Sequence, residues 1–361
     1  MSQLSAIAGP TWLKLRLAGR ISPESEETVN KFHARSSGAL LLGVGILAAG
    51  LSICAAKLAA DGSTPKGAIE LGADKSLQGK QLFPPNDPWN QDISKEDIDP
   101  NSDRLIASIG LKKPLHPDFG ADHNGVPSGI PYMTVGGNEP KVKVDFQYPD
   151  ESDRGPYPIP PDAWIEGGAK SAGDRHILIV DRDNWKLYEL FSAYPPENGK
   201  GWKAGSGAIF DLTKVSYGQR PKGWTSSDAA GLPILPGLVR YDEAVEQKQI
   251  NHALRFTIVK SRKAFVPPAT HFASNKKDPN LPPMGMRVRL KADYDISKFS
   301  PTCQVILKAI KTYGMIVADN GGDWFVTGSP DPRWDDEELH ALTKVKGADF
   351  EVVKMGEMTT R

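Results

Sequence analysis

The sequence predicts a mainly β chain: a single large β-sandwich or jelly-roll-like domain with long ordered loops and about two short helices, preceded by one transmembrane helix. Three observations carry this expectation. Short apolar or alternating runs recur from about residue 130 onward, as half-buried and fully buried strands do. The 361 residues include 35 Gly and 30 Pro, which break those runs with turns. Gly38–Ala56 is a 19-residue stretch without a charge, close to the ~20 residues needed to cross a hydrocarbon core as a helix.

Taken along the chain, residues 1–37 read as an N-terminal cytoplasmic arm and 38–60 as a transmembrane helix or signal anchor. The first 60 residues hold six basic and three acidic side chains, a balance of +3. Arg20, Lys31 and Arg35 precede the apolar run, and Asp61, Glu70 and Asp74 follow it. The positive-inside rule then puts the N-terminus in the cytoplasm and the main domain outside, or secreted if the segment is cleaved. Residues 61–100 are polar and turn-rich and read as a linker that begins to pack around Trp89. Residues 101–361 form the β-rich extracytoplasmic domain.

The strands follow in order. Val142, Val144 and Phe146 alternate with Lys141, Lys143 and Asp145, a period-two signature. Ile177–Val180 is continuously apolar, which suits a strand covered on both faces. Trp185–Phe191 reads as its hairpin partner across Asp181–Asn184. Further strands are expected at Ala208–Leu212, Ala253–Val259, Met286–Ala292, Gly314–Ala318, Trp324–Thr327 and Phe350–Val353. Asp319–Asp323 reads as a hairpin turn joining the two that flank it. Ser300-Pro301 supplies an N-cap and a first-turn proline, with Cys303, Ile306, Leu307 and Ile310 on one face. Asp331-Pro332 reads as the start of a second, acidic helix with Leu339 and Leu342 inward.

Composition narrows the function classes. Lys+Arg and Asp+Glu balance at 44 each, which argues against a nucleic-acid partner. Two cysteines exclude a disulfide framework and a cysteine-based zinc module. The chain holds no GxSxG, HExxH, CxxC or P-loop motif, so nothing points to those mechanisms or to a cofactor. His176, His252 and His271 stand in three separate segments, and that spacing does not predict a metal site.

Three polar concentrations remain. Asp150–Glu189 contains Glu166 and His176, and His176 opens a strand, where it can reach a loop-lined cleft. Trp224–Arg255 contains the irregular loop Ser227–Gly237, which must pack its own aliphatic residues, and then Tyr241, Glu243 and His252. Asp228 and Glu243 are candidates for a carboxylate pair of the kind that hydrolyses glycosidic bonds, one acid and the other base or nucleophile. Glu166, His176 and His252 complete the candidate catalytic set. Arg287 and Arg289 alternate with Met286, Val288 and Leu290, and Arg255 alternates with Leu254 and Phe256. A sheet face of outward cations could then bind an acidic polymer. Trp164, Trp185, Trp224 and Tyr241 are candidate sugar-stacking surfaces.

At Asp150-Glu151-Ser152-Asp153, Gly155–Pro160, Ile165–Gly168, Gly173–His176, Leu187–Leu190, Asp228–Glu243, His252–Phe256, Pro282–Gly285 and Ala318–Gly321 the chain resembles a family of uncharacterised secreted or membrane-anchored β-rich microbial proteins. The resemblance spans residues 86–353. It implies one extracytoplasmic domain, and no reaction or site residue comes with it.

The function expected is action on carbohydrate outside the cytoplasm, as a glycoside hydrolase or, if the cationic face lines the cleft, a polysaccharide lyase. The alternative is a non-catalytic carbohydrate-binding or adhesion protein. The two part on geometry: convergence of the five candidates on one cleft, with two carboxylates ~5–10 Å apart, favours hydrolysis, and their dispersal over separate faces counts against it.

Overall fold

Ile177–Val180 has no polar alternation because both of its faces are covered. In the computed structural model, which describes residues 69–121, 126–197 and 201–360, this run is strand β5 (Ile177–Asp181) of a five-stranded sheet. Its neighbours give the order β1 (Gly72–Ala73), β3 (Tyr132–Val135), β5, β6 (Lys186–Phe191), β8 (Ser206–Asp211). Leu178, Val180, Leu187 and Phe210 enter the larger hydrophobic core. Ile177, Ile179, Tyr188 and Leu190 enter a smaller one, with Val144, Tyr157 and Trp202. That second core is closed by a two-stranded parallel sheet of β4 (Val144–Phe146) and β7 (Trp202–Ala204). Each fully buried aliphatic side chain of this kind contributes about 1.5–3 kcal/mol.

A six-stranded sheet shares the larger core. Its order is β13 (Phe350–Val352), β10 (Arg287–Leu290), β11 (Met315–Asn320), β9 (Leu254–Ile258), β12 (Phe325–Thr327), β2 (His116–Asp118). Alternation along β9 puts Leu254, Phe256 and Ile258 on one face and Arg255 and Thr257 on the other. Trp324 is stacked between Phe256, at 5.6 Å, and Phe350, at 4.8 Å. Helix α1 (Ser102–Ile109) packs on β13, and α2 (Pro301–Thr312) packs on β10. In α2 the Ser300 hydroxyl accepts from Cys303 N–H, and Cys303, Ile306, Leu307 and Ile310 are buried, as the cap and the apolar face predict.

The chain is mainly β, as expected, and its sheets are mixed: β3–β5, β9–β11 and β2–β12 pair in parallel. The predicted β5–β6 hairpin forms. The hairpin predicted across Asp319–Asp323 does not, because β9 lies between β11 and β12. The connection passes over β9 instead, where Thr257 Oγ1 donates to Gly322 O at 2.7 Å.

The acidic helix begins later than Asp331. Helix α3 covers Asp336–His340, capped by Asp335 accepting from Glu338 N–H. Asp331 instead accepts the Arg333 N–H and guanidinium. α1 was not expected, since only Leu105, Ile106 and Ile109 mark its inner face.

The stretch read as a linker is built into the domain from Ile69 on. Leu77, Leu82, Phe83, Trp89 and Ile93 are buried, and the described residues fall in one compact unit. The apolar segment 38–60 lies outside the described residues, among which no helix is long and apolar enough to cross a membrane.

The irregular loop Ser227–Gly237 is tied to both large sheets. From β6, the Glu189 carboxylate accepts Ile234 and Leu235 N–H at 2.9–3.0 Å. From β11, Ala318 O accepts Ala230 N–H at 3.0 Å. Gly231 has φ +73°, and a Cβ there would stand 2.0 Å from Thr270 Oγ1 and 2.6 Å from Trp224 O. Gly231→Ala should therefore destabilise the protein by about 1–3 kcal/mol, read as a lowered midpoint in urea unfolding; an unchanged midpoint would mean that the loop is not held as described.

Candidate functional site

Arg255 points from β9 at the loop. Its Nε and Nη2 donate to the two carboxylate oxygens of Asp228 at 3.2 and 3.1 Å, and Nη1 donates to Thr327 Oγ1 at 2.7 Å. Asp228 is placed by a local turn in which Ser226 Oγ accepts Asp228 N–H at 2.9 Å and donates to Leu232 O at 2.5 Å. The side chain of Asp228 has no exposure, and that of Arg255 has 5%. A bidentate pair of this kind is among the stronger charge-assisted contacts.

Two further groups face the pair. His176, at the start of β5, has Nδ1 2.7 Å from Glu166 Oε2 and Nε2 3.1 Å from Ser227 O. Burial opposes charging this imidazole, but the Glu166 carboxylate, its hydrogen bond and Asp174 outweigh that and raise the pKa to about 9. Burial in turn works to raise Glu166, but His176 overrides it and holds the carboxyl below its ordinary value. Asp319, at the end of β11 and half-buried, is pushed up to about 7, by burial first and then by the Asp228 charge. Burial raises Asp228 too, against the lowering by Arg255, whose donors reach both of its oxygens. Glu189 behind the loop is also raised to about 7, chiefly by burial.

Of the expected catalytic set, Asp228, Glu166 and His176 thus come together, whereas Glu243 and His252 lie in another cluster. There Glu243, in a π-helical turn at Asp242–Glu246, receives Arg240 Nη2 at 2.5 Å and faces His252 Nε2 at 2.9 Å. His252 Nδ1 is 2.9 Å from Ala253 O. Burial tends to raise Glu243, but Arg240 and His252 hold it below its ordinary value. Asp228 and Glu243 are therefore each committed to a different arginine and do not form the expected pair.

The outward cationic face is not found. Arg287 donates to Tyr313 O, Pro88 O and Gln91 O, and Arg289 to Glu351 and Ile93 O. The segment Pro88–Ile93 lies over this face, and its carbonyls use the guanidinium donors that alternation alone would send to solvent. Burial lowers the Arg287 pKa to about 10. Arg255 is likewise paired inward.

Among the aromatics, Trp185 is buried beneath Lys80, and Trp224 and Tyr241 are half-buried. Trp164, two residues before Glu166, is 44% exposed. Tyr194 is also exposed, and it stacks on Arg175, the neighbour of His176, at 4.4 Å. His271 Nδ1 is 3.0 Å from Ala229 O, and among the described residues no cluster of His, Cys, Asp or Glu is arranged to hold a metal ion.

Sequence reasoning missed Asp319, Thr327, Glu189 and Arg240. Asp319 ends an apolar strand beside Asn-Gly-Gly, a signal that reads equally well as a turn.

Comparison with protein-family models, curated proteins and solved structures finds no match.

The His176–Glu166 contact sets a pH dependence. A folded-state pKa of about 9 against the ordinary 6.5 of a histidine means that His176 contributes stability that is full below 6.5 and is lost as pH rises through the folded value. Glu189 and Asp319 are raised to about 7, so their contributions are lost at lower pH, largely before this window. Thermal midpoints measured between neutrality and pH ~9.5 should fall for the native chain and fall less steeply for His176→Asn; equal slopes would contradict the pairing.

Proposed function

We propose that the chain is a carbohydrate hydrolase in which Asp319 donates the proton and Glu166 acts as the ionised carboxylate. The single observation that carries this reading is two partly open carboxyls near one buried arginine whose surroundings drive their pKa values in opposite directions. Asp319 is pushed up to about 7, and Glu166, 24% exposed, is held low by His176. Environments that drive two titrating groups apart supply an acid and a base at one pH.

In this reading Asp319 protonates the leaving-group oxygen as the glycosidic C–O bond breaks. Glu166 attacks the sugar carbon or takes a proton from the incoming water. Asp228 is too buried to touch substrate and acts as a positioning residue: it orients Arg255, and its charge keeps the proton on Asp319. Carbohydrate is favoured as substrate by two exposed rings, Trp164, two residues before Glu166, and Tyr194, stacked on Arg175 next to His176, flat surfaces suited to sugar faces. Polysaccharide lysis of an acidic polymer rested on outward cations, which are paired internally; the five residues expected to share one cleft lie in two clusters, so the hydrolysis proposed here rests on Asp319 with Glu166 in place of that set. The two large sheets around their shared core are read as an elaborated sandwich, borne outside the membrane by the apolar segment 38–60.

Reducing-sugar release from a polysaccharide panel tests this. Asp319→Asn and Glu166→Gln should each lose about 10²-fold or more in rate. Native activity should fall as pH rises through about 7, where Asp319 loses its proton. Saturable polysaccharide binding with no release by the native chain would favour a non-catalytic binding or adhesion protein instead.

A further inference from the structure

A cavity of about 180 Å³ is walled by the first turn of α1, the connection from β9 to β10 and the C-terminal segment. Two arginines line it, Arg104 from α1 and Arg262 from the connection, and no acidic side chain stands in its wall. The partners of the two guanidinium groups place their charged ends at that wall. Arg104 Nη2 donates to Asn101 Oδ1, and Arg262 donates from Nη1 to Pro279 O at 3.2 Å and from Nη2 to Met358 Sδ. Asn101, Pro279 and Met358 are themselves lining residues.

The charge of these arginines is left without a counter-charge. Neither forms an ion pair among the described residues. Asp99 acts on Arg262 from a distance, but it is buried and accepts the N–H groups of Asn101 and Met355. Asp278 likewise accepts Asn280 N–H. Burial lowers the Arg262 pKa, and a thioether is only a weak acceptor for its guanidinium. A partly desolvated cation is ordinarily matched by an acid, and here the fold provides two cations and none. Donors remain for an entering group. Arg104 is exposed and Arg262 half-buried, and each Nη of Arg262 carries a second N–H beyond the one it uses. Arg262 Nε is sealed from solvent and plays no part.

We propose that this cavity binds a phosphate group, held by Arg104 and Arg262 together. At ~30 Å³ per water the space takes about six waters, enough for a phosphate and its nearest waters but not for a nucleotide. A planar carboxylate is met in full by one guanidinium fork, whereas a tetrahedral oxyanion has oxygens for two forks on different segments. A phosphate near neutral pH also carries close to two negative charges, matching the two arginines. Neither Asp319 nor Glu166 belongs to this cavity, so the site stands whether or not they catalyse hydrolysis.

Calorimetry and phosphorus NMR on the full chain test the inference, with inorganic phosphate and glycerol phosphate as probes and acetate as the planar counterpart. Ionic strength is matched with chloride, because exposed arginines attract any anion weakly. Phosphate should bind saturably at one site and about tenfold or more tightly than acetate. Arg262→Gln should weaken it about tenfold or more, and Arg104→Gln several-fold. Thermal melting checks the fold of Arg262→Gln, and the exposed Arg104→Gln keeps the test decisive if the first variant unfolds. Asp319→Asn should bind phosphate as the native chain does. Tighter binding of glycerol phosphate than of phosphate would identify the occupant as a monoester, and the reverse order as the free ion; either upholds the site. No saturable binding at millimolar phosphate, acetate bound as tightly, or binding unchanged in both arginine variants would each overturn the proposal.

Discussion

An irregular stretch of chain buried between sheets must find partners for backbone groups that no strand pairing satisfies. Ser227–Gly237 is such a stretch, buried at nearly every residue. Glu189 on one sheet holds its Ile234–Leu235 end, and Arg255 on the other holds Asp228 near its start. The loop is thereby a strut between the two sheets. The acidic and basic groups around it follow from that role, since a buried carboxylate needs a donor and a buried guanidinium needs an acceptor.

Magnitudes separate this pair from the ion pairs at the surface. Removing one partner of a buried charge pair typically costs about 3–5 kcal/mol, because the other is left uncompensated. An exposed pair such as Lys354–Asp97, with side chains 63% and 79% open, contributes about 0–1 kcal/mol. The Arg255–Asp228 pair therefore fixes geometry that surface pairs cannot. It also shapes the electrostatics of its neighbours: burial first and then the charge of the Asp228 carboxylate raise Asp319 above an ordinary carboxyl. Structural need and acid–base chemistry have one origin here.

Local alternation made much of the fold legible. β4, β6, β9, β10, β12 and β13 lie within the runs that the sequence marks, β5, β8 and β11 overlap theirs, and α2 follows from Ser300-Pro301 and a four-residue apolar face. β1, β2 and β7 were not legible, because no longer apolar or alternating run surrounds them and their pairing partners alone define them. The insertion of β9 between β11 and β12 is non-local for the same reason: Asp-Asn-Gly-Gly specifies a turn but not what the turn passes over. Period-two alternation separated Arg287 and Arg289 from Val288 and Leu290, yet it carries no information on what covers the polar side. The site was legible by residue type more than by partner. Asp228, Glu166 and His176 were marked, but the choice of Asp319 over Glu243 beside them depends on strand order that only the folded chain supplies.

The protonation state of Asp319 is the central quantity, and a carbon-detected NMR titration of the aspartate and glutamate carboxyls measures it directly. Asp319 should titrate at about 7 in the native chain and shift downward in Asp228→Asn, where the neighbouring charge is gone. A native value near the ordinary aspartate 3.8 would contradict the account, because both carboxyls would then be ionised at neutrality and no proton donor would stand beside Arg255.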